Sequence, residues 1–328
     1  MISLWILAIL VVFAVGLGHR ASINLRLARY QRDRLKAYFL AKAGIQKAIV
    51  QLENDKNGYD NLDETWSTGI DSVTKKPLFE NAEINEGSGE TFTIRYLYDK
   101  EKGIYLCMSD EERKININFL DKKQLKQLFI LRGLDADAES LAKTIFEWIS
   151  GSGTEEEKKV FKNERLKTPE ELLLILEYFY QQKRLDNFKE KAREVFNNVE
   201  DLITTYGGNS NTVNINTISE NVLNIFANIV ADDVQRSCAN CVAQKIIELR
   251  NYQTEKCFKN KDGINLDVNE CPPAAGGLVD ILKANFIIFE SDNFKIESTG
   301  NVNNVSKKIT AIYNRQEENK KILNWHEN

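Results

Sequence analysis

The sequence predicts an α+β chain: a long N-terminal helix packed on a small antiparallel sheet, with a large inserted α-helical domain. Three observations predict it. An uncharged apolar run at the N-terminus continues without a break into an amphipathic helical pattern. Alternating strand patterns occur over residues 91–108 and then only after residue 293. Residues 114–284, between them, read as mostly helical.

The helix comes first. Met1–Gly18 reads MISLWILAILVVFAVGLG, eighteen residues without a charge or a proline. At 1.5 Å per residue it is roughly 27 Å long, close to the ~30 Å hydrocarbon core of a bilayer. Leu4, Trp5, Ile6, Leu7, Leu10, Val11, Val12 and Phe13 are the apolar body of this membrane helix. A cleaved secretory signal competes with that reading, but the basic n-region is missing and the helical pattern runs on, which favours a retained anchor. From His19 to about Leu52 there is no proline, and Gly44 is the one glycine. Leu27, Leu35, Phe39, Ile45, Ile49 and Leu52 fall at helical spacings and are expected to pack on the folded domain.

Residues 19–113 then form the first part of the sheet domain. Asn54–Gly89 is polar and reads as loop. Thr91–Tyr98 alternates, with Phe92, Ile94 and Tyr96 on one face, and a charged turn, Asp99–Lys102, leads to Gly103–Met108. The closing strands, within residues 285–315, are Asn293–Thr299 and Lys307–Tyr313. Residues 316–328 read as a tail.

The insertion contains a repeat. Lys114-Ile-Asn-Ile-Asn118 and Thr212-Val-Asn-Ile-Asn216 each precede a pair of helices, with Asn118 or Thr217–Ser219 available to cap the first. Between the copies, Thr168-Pro-Glu-Glu171 places a Thr cap, Pro at N1 and a capping-box Glu before a helix over Glu170–Gln181.

Charge and cysteine narrow the function. The net charge of -4 gives no general reason for nucleic-acid binding. Residues 1–50 nevertheless carry eight Lys/Arg against one acid, Asp33. Only His19 and His326 are present, which removes most histidine-based catalysis and metal binding. No G-x-G-x-x-G, Walker A, G-x-S-x-G or H-E-x-x-H motif occurs, and Glu155–Lys159 is a solvated charge run, so an enzyme is not expected. Cys238, Cys241, Cys257 and Cys271 cluster while Cys107 stands apart. Their spacing holds one zinc-knuckle pair but not a second, and an anchor upstream favours disulfides, with three pairings open.

Several segments together resemble the large minor pseudopilin of type II secretion, the general secretion pathway protein K family. They are Leu4–Leu10, Ala28-Arg-Tyr30, Ala37-Tyr-Phe-Leu-Ala-Lys-Ala-Gly-Ile45, both N-I-N modules, Thr168–Leu174 and Phe294-Lys-Ile-Glu-Ser-Thr-Gly300. They span nearly the whole chain in the family's order. The resemblance implies a pilin-like subunit at the tip of a periplasmic pseudopilus. Its partners would be the other minor pseudopilins, the major pseudopilin and the inner membrane, with secreted proteins contacted indirectly and no nucleic acid. Most such subunits carry a glutamate at the fifth mature position. If Met1 stands near the mature start, Trp5 falls there, as suits a subunit with no neighbour ahead of it. A basic leader is missing before Met1, so either translation starts further upstream or this is the mature form. The positive-inside rule applied to the Arg-rich stretch would place the bulk in the cytoplasm; the clustered cysteines argue for the periplasm.

Two further expectations concern ligands. Asn260 to Glu270, between Cys257 and Cys271, offers oxygens from Asp262, Asn265, Asp267 and Glu270 around Gly263. The EF-hand register fails, a polar disulfide-closed loop explains the same residues, and calcium in related pseudopilins adds weight to an ion. The N-I-N modules also resemble helix-hairpin-helix DNA-binding domains, giving an exported DNA-binding module as the alternative. Acids at both hairpin turns, Asp135 and Asp137 in one and Asp232 and Asp233 in the other, would repel phosphate.

Overall fold

Helix α1 (Ile2–Asn54) is continuous through both the apolar and the charged halves. The computed structural model describes residues 2–99, 104–154, 160–208, 210–253, 257–316 and 320–328. The turn expected over Asp99–Lys102 lies mostly outside these residues, as does the Glu155–Lys159 charge run. Up to Arg32 every side chain of α1 that is described is exposed. From Asp33 onward one face is buried, through Ala37, Leu40, Ala41, Gly44, Ile45, Ala48 and Leu52. Each of the larger ones contributes about 1.5–3 kcal/mol by leaving water. The packing face therefore differs from the expected one: Leu27, Leu35 and Phe39 are more than half exposed, while Ile45 and Leu52 are fully buried. Leu27 lies beyond the reach of the sheet. Where the sheet does meet the helix, small residues allow the close approach that Leu35 and Phe39 would prevent.

After α1 come α2 (Thr65–Thr68), β1 (Ala82–Glu83), β2 (Thr91–Ile94), β3 (Tyr96–Asp99), β4 (Ile104–Leu106) and β5 (Ser109–Asp110). The insertion contains β6 (Ile115–Asn116), α3 (Lys122–Leu131), α4 (Asp135–Ser150), α5 (Glu171–Gln182), α6 (Phe188–Val199) and β7 (Ile203–Thr204). It continues with β8 (Val213–Asn214), α7 (Glu220–Val230), α8 (Ala239–Tyr252), α9 (Ala275–Asn285) and β9 (Ile287–Ile288). The chain closes with β10 (Asn293–Val302), β11 (Val305–Asn314) and β12 (Lys321–Glu327).

The main sheet runs β1-β2-β10-β11-β12, all antiparallel, with β5 also on β10. The run over residues 91–98 is not one strand. Strand β2 covers Ser298–Asn301 of β10, and β5 covers Phe294 and Lys295. The chain leaves the sheet between them at Arg95, so Tyr96 belongs to the β3–β4 ribbon. The expected tail contains β12, which pairs along β11 from Asn314 to Ile309.

Two apolar cores result. One lies under α1 and holds Trp66, Phe79, Phe92, Met108, Phe294, Ile296 and Ile309. The other fills the insertion from Ile115 to Ile287. The first closing strand begins at Asn293, as expected, whereas β9, just inside the expected boundary at residue 285, pairs with β8 and adds Ile287 to the insertion core.

Candidate functional site

The first part of α1 is apolar and has no covering element among the described residues. Among the described residues one helix, α1, is long and apolar enough to cross a membrane, and its most apolar window is wholly unburied, with a mean hydropathy of 2.0. Trp5, Ile6, Leu7, Leu10, Val11, Val12 and Phe13 are all exposed on it; Leu4 lies in the same helix, but its side chain is outside the described set. Past the apolar run, Ile23, Leu27, Leu35 and Phe39 follow one another at steps of four or eight and are all at least half exposed. An i±4 ridge of this kind is what one helix inserts into the groove of another. The ridge runs from the free part of α1 onto the part held by the sheet, so a neighbour docked there would contact both.

The insertion is held by a side-chain device that the N-I-N motifs encode. In each copy the first Asn, Asn116 or Asn214, accepts at Oδ1 from the backbone N–H two residues on. Each also donates its Nδ2 to the segment after the neighbouring short strand, to Tyr206 O or to Ser291 Oγ. The second Asn grips a distant backbone in both directions. Asn118 donates to Leu166 O and accepts from Leu166 N; Asn216 does the same with Phe258. Four buried or half-buried amides are thus satisfied, as burial requires. The caps of α3 and α5 differ from expectation, while that of α7 falls in the expected Thr217–Ser219 segment. Asp121, with Gln124, forms the capping box of α3, and Ser219 caps α7. At α5 the N-cap is Glu170, and Glu171 turns back to Lys167 N.

Of the four clustered cysteines, Cys241 and Cys271 form a disulfide with Cα atoms 5.7 Å apart. It closes a loop of 30 residues between α8 and α9, worth about 3–4 kcal/mol in the chain-entropy account. Cys238 is a free thiol, so the second bond expected is not one between Cys238 and Cys257. Both are buried, and the Cys238 Sγ is turned to the Gln235 carbonyl at 2.9 Å. Cys107 is a buried thiol under α1, its pKa pushed up by burial.

The loop expected to hold calcium keeps Asp262, Asn265, Asp267 and Glu270 exposed. Asp267 accepts from Asn269 N within the loop, and Glu270 pairs with Lys245 at 2.8 Å. The carboxylates that do converge among the described residues are Asp55, Asp60 and Glu64, just past the end of α1, with one oxygen of each within 4.8 Å of the others. Burial pushes Asp60 up to about 8 and Asp55 up to about 6, against the pull of Arg315. Sequence reasoning passed over this group because Asn54–Gly89 reads as featureless polar loop. The spacing Asp55-x4-Asp60-x3-Glu64 was the available signal.

A second acidic group stands where the sheet becomes the insertion. Asp110 accepts from Glu112 N and from the Ser291 and Thr217 hydroxyls, while Glu112 accepts from Asn293 N and Nδ2. Glu111 accepts from Lys114 and Thr204. Burial raises Asp110, and burial together with the Asp110 charge raises Glu112 well above the carboxylate range. Burial would raise Glu111 too, but Lys114 and Lys295 outweigh it and hold it low.

No family model and no curated protein matches the sequence. Among solved structures, a chain of the GspK–GspI–GspJ complex from the enterotoxigenic Escherichia coli type 2 secretion system matches at a TM-score of 0.58 and 13% identity. The match covers 92% of this chain and 99% of that chain. It therefore takes in the long helix, the antiparallel sheet and the helical insertion together, and the protein has the fold of a subunit of that secretion-system complex.

Proposed function

We propose that this chain is a minor pseudopilin of a type II secretion system, standing at the tip of the periplasmic pseudopilus. The observation that carries the reading is a fold match over nearly the full length of both chains, with the half of α1 beyond the sheet left bare and apolar. The solved complex contains GspI and GspJ beside GspK. By analogy this chain joins two other minor pseudopilins through the Ile23–Phe39 ridge, with the major pseudopilin below. The apolar first half of α1 anchors it in the inner membrane, and the Cys241–Cys271 bond suits an oxidising periplasm. The helical insertion favours the tip, because a head of this size above the sheet leaves room for neighbours only below. Its role is structural, and secreted proteins meet it indirectly.

The DNA-binding alternative gains nothing at the hairpin turns. Asp232 is spent on the backbone of Val234 and Gln235, and Asp137 is paired with Lys183 and Tyr180. Neither turn offers a bare cradle of N–H groups for phosphate.

The experiment is co-purification of the full chain in detergent with the other minor pilin-like subunits of the same system, followed by size exclusion with light scattering. The reading predicts one complex containing a single copy of each. Monomers alone, at concentrations where each subunit is folded, would overturn it.

A further inference from the structure

We infer that Asp55, Asp60 and Glu64 bind one calcium ion, which clamps the end of α1 to the sheet. One oxygen from each carboxylate lies within 4.8 Å of the other two. Two oxygens on the same Ca²⁺, at about 2.3–2.6 Å from the metal, stand no more than about 5 Å apart, so the spacing is that of a shared ion.

The burial supplies an independent reason. Asp60 is fully buried. Its Oδ2 accepts from Ser291 N and from Arg315 Nη2, each at 2.6 Å, but its Oδ1 has no hydrogen-bond partner. The Oδ2 of Asp55 is likewise buried without one, with Arg315 Nη1 3.7 Å away. A buried carboxylate oxygen without a partner is costly, and native structures seldom leave one so. Asp55 and Asp60 lie beside one guanidinium, that of Arg315, while Glu64 accepts from Asn57 Nδ2, Asn61 N and Trp66 Nε1; a divalent cation among the three would supply the positive charge that one guanidinium does not. Glu290 and Asp292 also lie near Arg315; Glu290 is half exposed and can be screened by water.

The donor set selects the metal. It is all oxygen and mostly carboxylate, on a ten-residue loop that turns at Gly58, where φ is +78°. Hard oxygen ligands on an adaptable loop suit Ca²⁺ better than Mg²⁺, which demands a near-ideal octahedron and keeps its waters. The loop joins three parts of the molecule. Asp55 directly follows α1, Asp60 is bonded to Ser291 just before β10, and Arg315 directly follows β11. An ion here fixes the helix to both long strands at the end remote from the membrane.

The structure also provides a probe. Trp66 Nε1 donates to Glu64 Oε2 at 2.9 Å, so its indole lies beside the site and can sensitise emission from Tb³⁺, a stand-in for Ca²⁺. The full-length chain in detergent, stripped with EDTA, should show Tb³⁺ emission that saturates near one ion per chain and is displaced by Ca²⁺. Trp66→Phe should abolish that emission. Asp60→Asn should weaken binding at least tenfold. Asp55→Asn, at a half-buried position, gives the same test should Asp60→Asn fail to fold. Calcium should raise the thermal midpoint of the wild type and not of these Asp variants. The inference is overturned if the folded wild type shows no saturable emission, or if emission survives Trp66→Phe. It is overturned equally if both Asp variants bind as the wild type does while Asp262→Asn abolishes binding, which would move the ion to the 260–270 loop.

Discussion

Gly300 shows how a single missing side chain sets the architecture. It sits on β10 opposite Phe92 and directly beneath α1. A Cβ there would stand 2.7 Å from Ala41 N and still closer to Ala37 O, both backbone atoms of a packed helix that cannot step aside. Gly44 makes the reciprocal approach from the helix, but a Cβ there would meet Ser298 and Phe92 side chains, which can shift. Gly300→Ala should therefore lift the helix from the sheet and destabilise the chain by about 3 kcal/mol or more, at the upper end of overpacking costs. Gly16→Ala, with nothing within 4 Å, should leave stability unchanged. Denaturant unfolding in detergent measures both, and equal stability of the two variants would contradict the packing account.

At the scale of elements, what could be read from sequence was whatever local pattern dictates. The length and continuity of α1 follow from uninterrupted helix formers and a hydropathy switch at Gly18. The core strands β10 and β11 follow from alternation, and the paired helices follow from the repeated N-I-N lead-ins. The buried stripe of α1 was not readable, because Ala37, Ala41, Gly44 and Ala48 carry little hydropathy and are chosen for proximity. Strands β1 and β5 are two residues long and exist only because β2 and β10 respectively offer them an edge. Strand β12 was hidden in an apparently polar tail; its place is set by the open edge of β11, with Trp325 partly packed on the core under α1. The Asn clasps needed tertiary structure to appear, since their partners Leu166 and Phe258 lie more than forty residues downstream. The same limit applied to the ion site. Its carboxylates are close in sequence, but the burial that makes Asp60 informative comes from Ser291 and Arg315.

At the scale of the whole molecule, two apolar cores meet through a polar joint, and that joint responds to pH. Asp110 and Glu112 are buried together, with Asp292 also near Glu112, and burial raises Asp110 while burial and the Asp110 charge raise Glu112. A carboxyl whose folded pKa is raised contributes stability that is full below the ordinary carboxylate range and is lost as pH rises through the raised value. The chain should therefore lose stability on going from pH 5 towards pH 8, by at most about 1.4 kcal/mol per pH unit for one retained proton. Asp110→Asn removes the charge facing Glu112 and keeps a group that the Thr217 and Ser291 hydroxyls can satisfy, so its thermal midpoint should vary less over that range. A slope as steep as that of the wild type would contradict a shared proton.

In the proposed assembly the bare ridge of α1 joins this subunit to its neighbours. The most direct measurement is co-purification of the full chain carrying Leu35→Glu and Phe39→Glu with the other minor pilin-like subunits. Both side chains are more than half exposed, so stability should stay within about 0.5 kcal/mol of the wild type for each change. The folded variant should no longer enter the complex, because two carboxylates would be buried in an apolar helix–helix seam. A variant that co-purifies in the same stoichiometry as the wild type would contradict that role of the ridge.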